Sequence, residues 1–90
     1  MKAAESAGPL YEKKEWDIEK IKHLLKSRRH VLGLTQQQVA DRAGVRLRHY
    51  QQFEGGERSI MTCSFDTACR IIETLEMNIT KFYHGEYFSK

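Results

Sequence analysis

The chain has 90 residues, 40% of them hydrophobic, with one proline and a formal net charge of +3; this allows one small core and is too little for two independently folded domains. Between residues 20 and 60 nine Lys and Arg stand against three acidic residues, so the positive charge is central and points to a polyanionic partner. No segment is long and apolar enough to cross a bilayer, and the residues after Met1 are too polar and charged for a secretory signal, so the chain reads as a cytoplasmic protein that does not enter a membrane.

Residues 1–15 are small, polar and charged, include Pro9 and show no apolar period, the pattern of a disordered or loosely packed tail. Order is predicted to start at Trp16, where Asp17 fits an N-cap and Trp16 and Ile21 fit a hydrophobic staple. Ile21, Leu25, Arg28 and Leu32 then recur at helical spacing with Leu24 beside them, and this first helix ends near Gly33. Thr35 opens a second helix as one half of a capping box, with Gln38 as the other. Val39, Ala40 and Ala43 are its inward face, and Gly44 ends it where a left-handed residue is least costly as glycine. A third short helix follows Val45, with Leu47, Tyr50 and Phe53 at three-residue spacing, Tyr50 and Phe53 as core, and its close at Gly55 and Gly56.

Ser59 to Cys63 reads as a connection. A fourth amphipathic helix, starting at Ser64 or Asp66, carries Phe65, Ala68, Cys69, Ile72 and Leu75 along one face. Asn78 or Thr80 caps a fifth, in which Ile79, Phe82 and Tyr83 share a face; Gly85 ends it, leaving residues 86–90 as a C-terminal tail. No run reads as a strand, so the expected fold is all-α, a five-helix bundle over residues 16–85. Cys63 and Cys69 make neither a disulfide framework nor a CxxC pair and read as free thiols.

Two short helices joined through a glycine are the helix-turn-helix arrangement, in which the first crosses the phosphate backbone and the second enters the major groove. Over about residues 35–54, Ala40 is small enough for close crossing, Gly44 permits the turn, and Val39, Tyr50 and Phe53 fill the wedge. The stretch "LGLTQQQVADRAGV" followed by "YQQFEGGER" resembles the Cro- and lambda-repressor-like (Xre-like) helix-turn-helix family of bacterial and phage regulators, with similarity from Ile18 to Tyr83. Several features fall in register: Leu34, Thr35-Gln36, Val39-Ala40, Gly44-Val45, and Phe53-Glu54 before a glycine pair.

The resemblance implies a lambda-repressor-like domain that binds double-stranded DNA. It implies that Gln36 meets a phosphate and braces the recognition helix, and that Arg29 and Glu54 form an internal salt bridge. The exposed positions of the recognition helix would be Arg46, Leu47, Arg48, His49, Gln51 and Gln52. Among the base contacts Leu47, Arg48, Gln51 and Gln52, the strongest readers are Arg48, which can bond guanine O6 and N7, and Gln52, which can donate to and accept from adenine; Leu47 suits a thymine methyl. Arg46 and Arg58 at the two ends of that helix, with Gln36 and His49, suit the DNA backbone. The chain departs from the family pattern at Arg46, where a Ser or Thr cap is usual, and in the longer loop "GERSIMTCSF".

Lys20, Lys22 and Lys26 fit a solvated face as well as phosphate contacts. His23, His30, His49 and His84 have no ligand partner at i, i+4 and no catalytic arrangement, so no enzyme, metal or cofactor is expected. Tyr83, Tyr87 and Phe88 either close the bundle or form a homodimer seam, and a dimer would read two half-sites about one helical turn (~34 Å) apart. Two function hypotheses follow: a transcriptional regulator, a repressor acting as a homodimer on a short inverted repeat, and a protein-interaction module such as an antitoxin or assembly subunit.

Overall fold

Four of the five α-helices among the described residues begin where a side chain takes up free N–H groups of the first turn. In a computed structural model that describes residues 17–88, α1 runs Ile18–Val31, and the Asp17 carboxylate accepts from the amides of Glu19 and Lys20. The tail at residues 1–15 and the Trp16 staple lie outside the described residues. α2, Gln36–Ala43, opens on the complete capping box, Thr35 Oγ1 accepting from the Gln38 amide at 3.0 Å and Gln38 Oε1 from the Thr35 amide at 2.9 Å. α3, Leu47–Gly55, stops at Gly56, which takes φ +85°.

α4, Phe65–Thr74, is capped by Ser64, and α5, Ile79–Tyr83, by Asn78, which decides between the two alternatives at each start. A 3-10 turn, Ile60–Thr62, lies in the connection before α4. Among the described residues there are no strands, and the fold is all-α. No helix among them is long and apolar enough to cross a membrane.

α2 packs against both α3 and α4, and α1 against α3. The core they enclose holds Ile21, Leu25, Val39, Ala40, Ala43, Tyr50 and Phe53, together with Ile60, Ile71, Ile72, Leu75, Met77 and Phe82. Each fully buried Leu, Ile, Val or Phe stabilises such a fold by about 1.5–3 kcal/mol relative to exposure. The amphipathic stripes of α1 and α2 are therefore what seats α3.

The C-terminal half differs from the sequence expectation. Phe65 keeps the spacing of the α4 stripe but sits at its first residue, past the end of the core, and is 74% exposed. Ile71 takes its place beside Ile72, and Ile60 from the connection closes the core from outside any α-helix. Tyr87 and Phe88, in the segment read as a tail, pack on the core: Tyr87 Oη accepts from the Asn78 amide at 2.8 Å, and the Phe88 ring lies 6.0 Å from that of Phe82. These two aromatics, both half-buried, extend the core beyond the end of α5. Arg28, counted in the apolar stripe of α1, lays its guanidinium on the carbonyls of Leu75 and Glu76 just past the end of α4, satisfying groups that the helix leaves free.

Candidate nucleic-acid interface

The surface of interest is built around the break between α2 and α3. Gly44 takes φ +72°, its N–H reaching back to the carbonyls of Ala40 and Asp41, and the Val45 amide donates to Ala40 at 3.0 Å. Arg70 of α4 braces the turn, Nη1 approaching the carbonyls of Ala43 at 3.4 Å and Gly44 at 3.3 Å while Nη2 pairs with Asp66. A Cβ on Gly44 would lie 3.2 Å from that Nη1, so the glycine serves both the backbone angle and the fit of the brace.

Arg46 occupies the N-cap position of α3 with extended backbone and provides no side-chain cap. The departure at this position is therefore real: the first turn of α3 keeps N–H groups without a side-chain acceptor. Arg42, Arg46 and Arg48 bracket the turn, are exposed, and make no side-chain hydrogen bond or ion pair among the described residues. Arg42, part of the central basic surplus, lies in the last turn of α2, two residues before Gly44.

The inner side of α3 rests on Tyr50 and Phe53, and on a buried carboxylate. Glu54, with its side chain 4% exposed, accepts from Arg29 Nε at 2.6 Å and Nη2 at 3.1 Å. Gln36 Nε2 adds a bond at 3.0 Å and the Tyr50 hydroxyl one at 2.5 Å, so α1, α2 and α3 all donate to one group. The Arg29–Glu54 pair is where the family pattern places it. Burial alone would raise the Glu54 carboxyl; the bonds from Arg29, Tyr50 and Gln36 outweigh it and hold the group below the ordinary carboxylate range. The Tyr50 hydroxyl is pushed far up by burial and by its bond to Glu54, and the bond to Glu54 raises Arg29 further above its already high value.

The charge on Glu54 also sets the direction of the bonds leading outward. A carboxylate accepts only, so the amino group of Gln36 must face it. Gln36 Oε1 then faces α3 and accepts from Gln51 Nε2 at 3.2 Å. Gln36 is thereby engaged at both ends of its amide and braces α3 against α2, with the second N–H of its amino group not used in these bonds.

The remaining expected contacts divide in two. Arg48 and Gln51 are exposed on the outer side of α3, with Gln52 half-buried beside them. Leu47, expected to touch a base, is half-buried and packs on the core, and the His49 ring lies 4.8 Å from that of Phe53, which keeps it close to α3. Arg58 is exposed but tied back, Nε donating to Gln52 Oε1 at 2.7 Å. Lys22 of α1 reaches this end as well, since a Cβ on Gly56 would come within 3.1 Å of its Cδ, while its ammonium pairs with Glu19 at 3.3 Å.

An apolar groove of about 410 Å³ lies between the 3-10 turn, α4 and α5, walled by Met61, Phe65, Ala68, Ile79, Phe82 and Tyr83 among others. Phe65 and Tyr83, on its walls, are two of the exposed large hydrophobic residues. Compared with protein-family models, curated proteins and solved structures, the chain matches none.

Proposed function

We propose that this protein is a cytoplasmic, sequence-specific double-stranded DNA-binding regulator of the Cro- and lambda-repressor-like type, a repressor acting as a homodimer on a short inverted repeat. The observation that carries it is the set Arg42, Arg46 and Arg48 around the Gly44 turn, exposed and without side-chain partners among the described residues, beside the amides of Gln51 and Gln52 on the same short helix as Arg48. Arginines left free of internal pairs are available to phosphates and guanine edges, and helical amides to base edges. In this proposal α2 crosses the backbone and α3 enters the major groove, with Arg48, Gln51 and Gln52 at the bases and Arg46, Arg42 and Arg58 nearer the phosphates. One short helix spans few base pairs, which is why a dimer on two half-sites is proposed.

Selection of binding sites from a random pool of duplex DNA tests the proposal: an enriched inverted repeat is the expected outcome, and a pool that stays random contradicts it. The exposed Phe65 and Tyr83 on the apolar groove favour a second reading, a protein-interaction module such as an antitoxin or assembly subunit. A specific partner that copurifies and survives high salt, together with no selected DNA site, would support that alternative.

A further inference from the structure

Gln52 and Arg58 are joined by a hydrogen bond whose direction chemistry dictates. Arg58 Nε donates to Gln52 Oε1 at 2.7 Å; a guanidinium has no acceptor, so the oxygen of the Gln52 amide must be the atom that faces it. The backbone holds the same arrangement. Gly56, with φ +85°, turns the chain back at the end of α3, and the amides of Glu57 and Arg58 both donate to the Gln52 carbonyl, at 2.9 and 3.2 Å. Residue 58 is thus folded onto residue 52 through main chain and side chain together.

This bond changes what Gln52 can recognise. A free glutamine amide offers one acceptor and two N–H donors, the complement of adenine N6 and N7. With its oxygen held against Arg58 and one of its two lone pairs taken, Gln52 has its N–H groups as the freer side of its amide, and the Nη groups of Arg58, which make no bond among the described residues, are donors too. Gln51 next to it has the opposite bias: its amino group is drawn to Gln36 and its oxygen is left outward. Adjacent glutamines of the same helix therefore present different chemistry.

We infer that Gln52 and Arg58 act as one unit that presents donors and reads a guanine, whose major-groove edge offers the acceptors N7 and O6, and that disfavours adenine, whose N6 amino group would meet another donor. The inference rests on the DNA-binding proposal above. It replaces the adenine contact expected of an unpaired Gln52 and moves Arg58 from the phosphates to a base edge.

The test uses the full chain, its selected duplex and every single-base variant of that duplex, with affinities measured by fluorescence anisotropy for wild type, Arg58→Ala and Gln52→Ala. Wild type is expected to favour guanine over adenine at one position of each half-site by about 5- to 150-fold. In Arg58→Ala the Gln52 oxygen is released, so the preference at that position collapses or turns to adenine while the other positions keep theirs. Gln52→Ala should weaken the guanine preference at the same position. Uniform weakening by Arg58→Ala across all duplexes, with the guanine preference intact, would overturn the inference and return Arg58 to the phosphates. An adenine preference in wild type that disappears in Gln52→Ala would overturn it equally. If wild type selects no site, the DNA-binding proposal itself fails and the inference falls with it.

Discussion

Replacing Glu54 with alanine removes the acceptor on which donors from α1, α2 and α3 converge, and leaves the Arg29 guanidinium, 11% exposed, without its counter-charge. Removing one member of a buried ion pair costs about 3–5 kcal/mol, because the remaining charge stays desolvated. Arg29 keeps a bond to the Leu34 carbonyl at 3.0 Å, which places the expected loss at the lower end, about 3–4 kcal/mol. For a small domain whose whole stability is about 5–15 kcal/mol, that is a large share. Urea unfolding at neutral pH, followed by far-UV circular dichroism, should show the midpoint falling by roughly 2–3 M. Arg29→Met combined with Glu54→Ala leaves no unpaired charge and should lose clearly less than the sum of the single changes. A Glu54→Ala loss below about 1 kcal/mol, or strict additivity in the pair, would refute the view that this network ties the three helices together.

The same carboxylate predicts a pH dependence. Its folded pKa lies below its ordinary value, so its contribution is fully present above the unfolded pKa of about 4.3 and is lost as pH falls through the folded one; Glu54→Gln should flatten that acid-side loss, and equal slopes would contradict the assignment. Gly44→Ala and Gly33→Ala each force a side chain onto a left-handed residue, at φ +72° and +70°, costing about 1–2 kcal/mol, or roughly 4–16 °C in Tm. Only the first also meets Arg70 Nη1, while nothing lies within 4 Å at Gly33, so a calorimetric scan should find Gly44→Ala no less destabilised than Gly33→Ala. Arg48→Ala should relax base preference at one position at a cost of about 1–3 kcal/mol if the arginine reads a base, whereas equal weakening on all duplexes would assign it to phosphate.

Features governed by local chemistry were legible in the sequence. The Thr35–Gln38 capping box, the left-handed Gly44, and the inward face of Val39, Ala40 and Ala43 depend on spacings of three or four residues and appear where they were read. Burial of Tyr50 and Phe53 followed from the same periodicity, and the Arg29–Glu54 pair from the family resemblance. What escaped depends on contacts far apart along the chain. Arg70 bracing the turn and Arg28 closing the end of α4 are long side chains whose targets are carbonyls, which leave no mark in a residue pattern.

Short elements misled periodicity for a different reason. Phe65 obeys the spacing of its helix but lies beyond the residues it would pack on, while Ile60 and Met77 are buried from segments outside the α-helices. At the candidate interface the residue types were legible and their hydrogen-bond directions were not. The outward bias of Gln51 is set by a carboxylate two bonds away, and that of Gln52 by an arginine beyond the helix end.

The most direct test of the central claim is the affinity of the full chain for its selected duplex and for a scrambled duplex of equal composition, each at about 50 and about 200 mM salt. The account predicts tighter binding to the selected duplex by roughly 10³-fold or more, with both affinities falling as salt rises and the preference between them remaining. Equal affinity for the two duplexes, or no binding to either at the lower salt, would contradict it.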